Sequence, residues 1–280
     1  MYRYTYPASV AVLTGFVLSL PIAAESPKQN VSSCRQAHAH NDYLHERPLL
    51  DALDNGFGSV EADIFLVDGE LLVAHTRREL APGKTLRGLY LDPLRDRIKQ
   101  HRGSVHGDGH PFTLLIDIKS KGEPSYRALH QLLSQYDDIF SSVADGKVTA
   151  RAVNAVISGN RPVDVVAADS PRYVGIDGRL SDLGSDHPAN LMPLISDNWR
   201  RHFKWRGSGE MPAEEHEKLV KILQQAHAKD RRVRFWAIPD NVATWTALHA
   251  AGVDLINTDD LSGLGNYLRS AQATQPRDNP

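Results

Sequence analysis

Acidic and basic side chains recur two residues apart at three places in the first half of the chain. They are His38 and His40 in Q-A-H-A-H-N-D-Y, Glu61 and Asp63 in V-E-A-D-I, and Asp117 and Lys119 in L-L-I-D-I-K. Because side chains alternate across a β-strand, residues i and i+2 project to the same face. Such pairs at the ends of three separate strands predict a shared polar chamber.

Three of these side chains, Glu61, Asp63 and Asp117, are carboxylates. Carboxylates held close together raise one another's pKa and resist ionisation unless a cation is present. Oxygen ligands favour magnesium, calcium or manganese over zinc. We therefore predict one divalent cation, Mg²⁺ or Ca²⁺, at this cluster. The alternative for each acid alone is a backbone cap or a pair with a nearby arginine.

Histidines are the candidates for acid-base catalysis, because an imidazole exchanges its proton near neutral pH. His40 and His75, the latter in V-A-H, are the candidates for this pair: one would act as the general base and the other as the general acid. His38 shares a strand face with His40 and competes with it for the role. The sequence leaves that choice open.

Lys119, Trp236 and Asn41 are the predicted substrate-binding residues. A lysine beside a metal-bound anion would neutralise developing negative charge, most naturally on a phosphate. Trp236, in R-F-W-A-I-P, follows a late strand and would wall the pocket, although a core position is its ordinary alternative. Asn41 adjoins His40.

The segments that must position these residues alternate between strands and helices. Expected strands cover residues 35–41, 59–67, 70–75, 112–118, 147–157, 163–168, 173–176, 191–195, 233–238 and 253–257. Expected helices cover residues 47–55, 85–100, 124–136, 212–229, 241–251 and 261–270. This alternation predicts an α/β fold, either a barrel or a doubly wound sheet. We favour the TIM-type (β/α)8 barrel, because the candidate residues follow the C-terminal ends of strands and no glycine-rich turn follows the first strand.

The first 24 residues have the pattern of a secretory signal peptide: Arg3, an uncharged run over 8–20, Pro21, and two alanines at 23–24. The apolar run is short for a bilayer span. We therefore expect a cleaved signal peptide over 1–24, a linker over 25–33, the barrel over 34–270 and a flexible tail over 271–280. The protein would then be secreted or periplasmic, with a retained N-terminal anchor as the alternative.

The overall composition is that of an ordinary soluble protein, with 41% hydrophobic residues and a formal net charge of -2 over 280 residues. This charge gives no basic surface for nucleic acid, which is not an expected partner. The single cysteine, Cys34, excludes a disulfide within the chain and a cysteine zinc site. Residues 198–207, N-W-R-R-H-F-K-W-R-G, mix aromatic and basic side chains. They are either an amphipathic turn packed on its own domain or a peripheral contact with anionic lipid.

These motifs resemble the phospholipase-C-like phosphodiesterase superfamily. H-N-D-Y at His40 is similar to the H-N-T-Y of phosphatidylinositol-specific phospholipases C, and E-A-D at Glu61 with the later His75 is similar to a glycerophosphodiester phosphodiesterase pattern. D-I-K at Asp117 resembles the D-x-K of spider-venom-type phospholipases D, and W-A-I with the later T-D at 258–259 resembles the diesterase tail. The resemblance is greatest to the subgroup of the fungal altered inheritance of mitochondria protein 6, through H-x-H-N-D-Y, V-E-A-D and L-L-I-D.

The resemblance implies a barrel phosphodiesterase that acts on a phospholipid or a glycerophosphodiester-like substrate. It implies one cation at Glu61, Asp63 and Asp117, acid-base histidines at His40 and His75, and a phosphate pocket lined by Lys119 and Trp236. The H-R-G motif of true glycerophosphodiesterases is absent, because Ala39 and Asn41 flank His40. The phosphate-binding arginine of that motif therefore has no counterpart here.

Two other functions are consistent with the same residues. H-A-H on a first barrel strand is also how amidohydrolase-type enzymes begin a zinc site, although these enzymes need further histidines where this chain has Asp177 and Asp197. A lipid-binding or phosphate-binding barrel without turnover is the non-enzymatic alternative, because a fold does not by itself define a function.

Overall fold

Eleven strands form in the computed structural model, which describes residues 1–2 and 33–274. The strands are β1 (Cys34–Ala39), β2 (Phe57–Val67), β3 (Glu70–Val73), β4 (Phe112–Ile118), β5 (Ser142–Ala144), β6 (Lys147–Thr149), β7 (Val153–Gly159), β8 (Val174–Gly178), β9 (Leu194–Asn198), β10 (Arg232–Trp236) and β11 (Leu255–Thr258).

Eight of these strands are parallel and close into a barrel. Their order around it is β1, β11, β10, β9, β8, β7, β4 and β2, and the pairing of β1 with β2 completes the circle. β3 is antiparallel to β2 and lies outside the closed ring, while β5 and β6 form a separate hairpin. The predicted TIM-type (β/α)8 barrel is therefore confirmed.

Helices surround the barrel in the described part of the chain. They are α1 (Leu50–Asp54), α2 (Asp92–Gln100), α3 (Gly122–Leu133), α4 (Val163–Ala168), α5 (Trp199–His202), α6 (Ala213–His227), α7 (Val242–Ala251) and α8 (Leu261–Thr274).

Local sequence signals explain where several elements begin and end. The turn between β2 and β3 is made by Asp68 and Gly69, both with positive φ, as two-residue hairpins require. α7 begins at Asn241, whose side chain accepts a hydrogen bond from Thr244 N at 3.0 Å, and it ends at Gly252 in the left-handed conformation.

Two strand predictions in the middle of the chain are wrong. Residues 163–168 are the helix α4, although three of the six residues are valine, because the chain must cross over here between the parallel strands β7 and β8. Residues 147–157 are two strands, β6 and β7, because the chain turns out of the short hairpin before it enters the barrel. Tertiary context overrides strand propensity in both segments.

Two apolar layers lie on opposite sides of the barrel wall. The outer layer packs between the strands and the helices and includes Val60, Ala62 and Ile64 of β2. A second cluster is made of four fully or nearly fully buried side chains: Leu115, Val156, Leu194 and Leu255. Leu115 is on the same face of β4 as Asp117, so this cluster fills the barrel interior beneath the polar residues.

The aromatic residues of the segment 198–207 are buried. Trp199 and Phe203 stack with ring centroids 3.9 Å apart, and Trp205 is 7% exposed. Of the two interpretations of this segment, the observed packing matches the turn tucked onto its own domain. Arg200 and Lys204 remain exposed.

Several N-terminal and C-terminal predictions lie outside the described residues. These include the signal peptide beyond residues 1–2, the linker up to residue 32, and the tail from residue 275 onward. α8 continues to Thr274, four residues past the predicted helix end. Among residues 1–2 and 33–274, no helix is both long enough and apolar enough to cross a membrane.

Candidate active site

Three carboxylates converge at the C-terminal end of the barrel strands. Glu61 and Asp63 lie on β2, and Asp117 lies on the neighbouring strand β4, directly opposite Asp63 in the pairing register. Each side chain offers an oxygen, and these oxygens all lie within 4.8 Å of one another. The structure thus brings together the three residues predicted to bind a cation.

The chemistry of these carboxylates fits a divalent cation. Asp63 Oδ1 and Asp117 Oδ1 are buried and have no hydrogen-bond partner among the described residues. Burial and then the Glu61 charge raise the pKa of Asp63 to about 7, and burial also raises the pKa of Asp117. Buried acids with unpaired oxygens are stabilised by a hard cation with oxygen ligands. Glu61, Asp63 and Asp117 would hold it.

Lys119 supplies positive charge to the same cluster. Its Nζ lies 3.1 Å from Asp63 Oδ2 and 3.1 Å from Asp117 Oδ2, and the side chain is 28% exposed. Burial alone would lower the pKa of Lys119, but the charges of Asp117 and Asp63 raise it. The ammonium group is therefore held beside the carboxylates and still reaches solvent.

Gly159, at the end of β7, allows Asp117 to take its position. Gly159 has φ +67, and a Cβ at this residue would collide with Asp117 Oδ1 and lie 2.6 Å from Ile118 O. Only glycine fits both the left-handed backbone and the close approach. The position of Asp117 in the carboxylate cluster therefore depends on Gly159, which has no functional group of its own.

A buried arginine holds Glu61 ionised from the opposite side of the barrel. Arg234 Nη1 donates to Glu61 Oε2 at 2.6 Å, and Arg234 is 3% exposed. Burial alone would raise the pKa of Glu61, but the Arg234 charge holds it well below its ordinary value. The sequence analysis did not identify Arg234. The signal that could have found it is the alternation in R-V-R-F-W, which places Arg232, Arg234 and Trp236 on one face of β10.

His38 is enclosed in this buried network. Arg234 Nη1 lies 2.6 Å from His38 Nε2, so Nε2 must accept, and Nδ1 then donates to Ser59 Oγ at 2.8 Å. His38 is fully buried, and burial followed by the Arg234 charge lowers its pKa to about 3. His38 is thus a neutral imidazole that positions Arg234 and Glu61 from below.

His40 lies one residue past β1 and faces the mouth of the barrel. Its Nδ1 donates to Asp259 Oδ1 at 2.9 Å, and its side chain is 27% exposed. Burial would lower the pKa of His40, but the hydrogen bond that it donates to Asp259 and the charge of Glu61 raise it above the ordinary value. Asp259 is itself held by Asp240, whose Oδ2 accepts from Asp259 N at 2.8 Å. The pairing leaves His40 Nε2 for a substrate.

His75 lies at the rim and is exposed. The preceding residue, Ala74, donates its N–H to Asp63 O at 3.1 Å, so the backbone at His75 adjoins the carboxylate cluster. The N–H of His75 donates to Glu79 Oε2 at 3.1 Å. The imidazole makes no hydrogen bond to the residues that the structure describes, so its predicted acid-base role remains a prediction.

Asn41 and Trp236 border the same mouth. Tyr43 Oη lies 2.8 Å from Asn41 Oδ1 and 2.8 Å from Asp63 Oδ2, and it links Asn41 to the carboxylate cluster. The Trp236 ring lies 5.0 Å from the Arg179 guanidinium carbon and 5.9 Å from that of Arg234. Sequence reasoning missed both Tyr43 and Arg179, because their contacts depend on barrel closure.

Comparison with known proteins agrees with a phosphodiesterase barrel. Residues 28–177 match the AIM6-like phosphodiesterase domain, and residues 232–262 match the glycerophosphoryl diester phosphodiesterase family. The first match covers more than half of the chain and includes the carboxylate cluster. The chain therefore belongs to the AIM6-like phosphodiesterase domain family, within the superfamily that its motifs resemble.

Individual relatives are fungal proteins of the same subgroup. The chain is 32% identical to altered inheritance of mitochondria protein 6 of Eremothecium gossypii, over 85% of this chain and 71% of that protein. It is 26% identical to the altered inheritance of mitochondria protein 6 homolog of Arthroderma benhamiae, over 82% of each. A solved glycerophosphodiester phosphodiesterase from Parabacteroides distasonis shares the fold, with a TM-score of 0.50 and 14% identity over 86% of this chain and 99% of that one.

Proposed function

We propose that this chain is a divalent-cation-dependent phosphodiester hydrolase that acts on a phospholipid or a glycerophosphodiester-like substrate. The observation that carries the proposal is the convergence of Glu61, Asp63 and Asp117 within 4.8 Å at the C-terminal end of the barrel. Active sites of this fold lie at that end. Membership of a phosphodiesterase family supports the reaction class.

Positive charge for the phosphate has two sources in this site. Mg²⁺ or Ca²⁺ held by the three carboxylates would supply Lewis-acid stabilisation of the phosphoryl oxygens. Lys119 Nζ, already beside Asp63 and Asp117, adds a fixed ammonium group. Trp236 and Asn41 border the pocket and would orient the substrate.

Proton transfer is assigned to two histidines at the rim. His40 has a raised pKa and an orienting carboxylate, Asp259, so it suits the general acid that protonates the leaving alkoxide. His75 would take the proton of the attacking water as the new P–O bond forms and the bond to the leaving alcohol breaks. His38 is buried and neutral, so we assign it the positioning of Arg234 and Glu61.

The zinc amidohydrolase alternative is less consistent with the geometry. His38 Nε2 accepts a hydrogen bond from Arg234 Nη1 at 2.6 Å. The lone pair that a zinc ion would need on this nitrogen is therefore already in use. Asp177, at the end of a middle strand, is paired with Arg179. Elemental analysis of the purified protein for zinc separates the two functions.

A panel of glycerophosphodiesters and phospholipids, assayed with Mg²⁺ or Ca²⁺ and then with excess EDTA, tests the proposal. We expect hydrolysis that stops with EDTA and with Glu61→Ala. Phosphorus NMR of the products distinguishes attack by water from attack by a substrate hydroxyl, which would give a cyclic phosphate first. Specific binding without turnover of any diester would instead favour the non-catalytic barrel.

Location outside the cytoplasm is part of the proposal and rests on the N-terminal sequence pattern alone. Mass spectrometry of protein made in its native host tests it. We expect the mature N-terminus near residue 25, and an intact Met1 together with membrane fractionation would support the retained anchor instead.

A further inference from the structure

Two arginines lie on the side of the mouth opposite His40. Arg161 follows β7 and Arg179 follows β8, whereas His40 and Asp259 follow β1 and β11. Gly159, two residues before Arg161, packs directly against Asp117 of the carboxylate cluster. The loop that carries Arg161 therefore begins beside the proposed cation site.

Arg179 is held rigidly and its charge is matched. Its Nη1 donates to Asp177 Oδ2 at 2.9 Å, its Nη2 donates to Ser158 Oγ at 3.2 Å, and its guanidinium carbon lies 5.0 Å from the centre of the Trp236 ring. Asp177 is fully buried and serves as its counter-ion. The Trp236 ring adds a cation–π interaction to these hydrogen bonds.

Arg161, unlike Arg179, has no carboxylate counter-ion among the described residues. No carboxylate of residues 1–2 or 33–274 lies within 4.0 Å of its guanidinium nitrogens; its side chain makes one long contact, from Nη1 to Gly159 O at 3.5 Å. Its Nε is buried without a hydrogen-bond partner. Burial and then the positive charge of Arg179 lower the pKa of Arg161. A partly buried, unpaired guanidinium is costly unless an anion binds it.

The other cations near the cluster are already paired. Lys119 is shared between Asp63 and Asp117, and Arg234 is bonded to Glu61. Arg161 has no carboxylate partner in the described part of the chain. An anion that enters this side of the mouth can therefore pair with Arg161 without displacing a carboxylate.

We propose that Arg161, with Arg179 next to it, binds a second anionic group of the substrate, a carboxylate or a phosphate carried on one alcohol of the diester. The planar guanidinium fork suits either oxyanion through paired hydrogen bonds. This subsite rests on the proposed phosphodiesterase function and adds a substrate class to it: diesters with a negative charge beyond that of the scissile phosphate.

Matched pairs of diesters test the subsite by kinetics. Glycerophosphoserine differs from glycerophosphoethanolamine by one carboxylate, and glycerophosphoinositol 4-phosphate differs from glycerophosphoinositol by one phosphate. For at least one pair we expect kcat/KM to be about tenfold higher for the more anionic member, the size of one charged hydrogen bond. Arg161→Gln is expected to remove that ratio. Arg200→Gln, which removes an exposed charge at the start of α5, is expected to keep it.

Calorimetric binding of the same pairs to the His40→Gln chain with Mg²⁺ reports the subsite without requiring turnover. Tighter binding of the anionic member that Arg161→Gln abolishes supports the subsite, even if no diester is hydrolysed and the proposed function fails. Equal binding and equal kcat/KM within both pairs overturn the subsite, even if hydrolysis itself is observed. A preference that persists in Arg161→Gln also overturns it.

Discussion

His38 and His40 show how environment separates two identical side chains. The strand period predicted that they share a face, and the structure places both at the barrel interior or its mouth. Burial and Arg234 keep His38 neutral, whereas Asp259 raises the pKa of His40. The sequence could not distinguish them, because their partners lie 196 and 219 residues away.

The pH dependence of turnover tests the role of His40. A general acid works while protonated, so activity is lost as pH rises through the raised pKa of His40. Asp259→Asn removes the charge and the main acceptor that raise this pKa, so the alkaline limb of the kcat profile should move to lower pH. His40→Gln should lower kcat about 100-fold or more.

Asp138→Asn is the control for that measurement, because it removes a surface carboxylate paired with Arg95. Its profile should match that of the parent chain. An alkaline limb that stays in place in Asp259→Asn would contradict the assignment of His40 as the acid.

Cation affinity should depend on pH through Asp63. In the metal-free protein the pKa of Asp63 is about 7, so part of the population is protonated at neutral pH. A cation binds the ionised carboxylate and displaces the proton. Affinity for Mg²⁺ should therefore rise between about pH 6 and about pH 8, with a proton released. Calorimetry in two buffers of different ionisation enthalpy measures the Mg²⁺ affinity and the number of protons released. An Mg²⁺ affinity that falls as pH rises would count against Asp63 as a ligand.

The pairing of β4 with β7 places Gly159 against Asp117, and this contact gives a prediction at the scale of secondary-structure elements. Gly159→Ala should abolish Mg²⁺ binding, because the new Cβ displaces Asp117. Left-handed backbone costs a residue with a Cβ about 1–2 kcal/mol. Calorimetry measures the Mg²⁺ affinity, and urea unfolding measures the free energy of unfolding.

Gly146→Ala is the matched control. Gly146 also has positive φ, at +73, but a Cβ there would meet nothing within 4 Å. It should lose only the stability that the left-handed backbone costs, less than Gly159→Ala, and keep its cation affinity. Cation binding that survives in Gly159→Ala would contradict the close packing at Asp117.

Elements were predictable where the pattern was long or the turn chemistry was specific. Residues 112–118 and the Asp68–Gly69 hairpin were placed correctly, because each depends on local signals. Residues 163–168 were not, since valine favours strands and only the position between β7 and β8 makes this segment a crossover helix. The carboxylate cluster was predictable because strand period two is local information.

A buried ion pair between Arg234 and Glu61 crosses the interior of the barrel. In barrel order, β10 is separated from β2 by β11 and β1, and Arg234 reaches across to Glu61, 173 residues away in sequence. No local pattern predicts such a contact, so the sequence analysis placed Glu61 correctly without its buried partner.

Removal of that partner should destabilise the whole molecule. Arg234→Met leaves Glu61 buried without its counter-ion, and breaking a buried ion pair costs about 3–5 kcal/mol. Urea unfolding measures the loss. Arg232→Met is the control on the same strand face, because its guanidinium donates to Thr113 Oγ1 at 3.1 Å and has no carboxylate within 4.0 Å among the described residues. Equal losses in the two variants would contradict the importance of the Arg234 pair.

The most direct measurement is the rate of phosphodiester hydrolysis by metal-free protein as Mg²⁺ or Ca²⁺ is added back. The convergence of Glu61, Asp63 and Asp117 predicts no turnover without the cation, saturable recovery on titration, and no recovery at the same concentrations in Asp117→Asn. Turnover that persists without any cation, or full recovery in Asp117→Asn, would contradict the claim that these three carboxylates hold the ion on which catalysis depends.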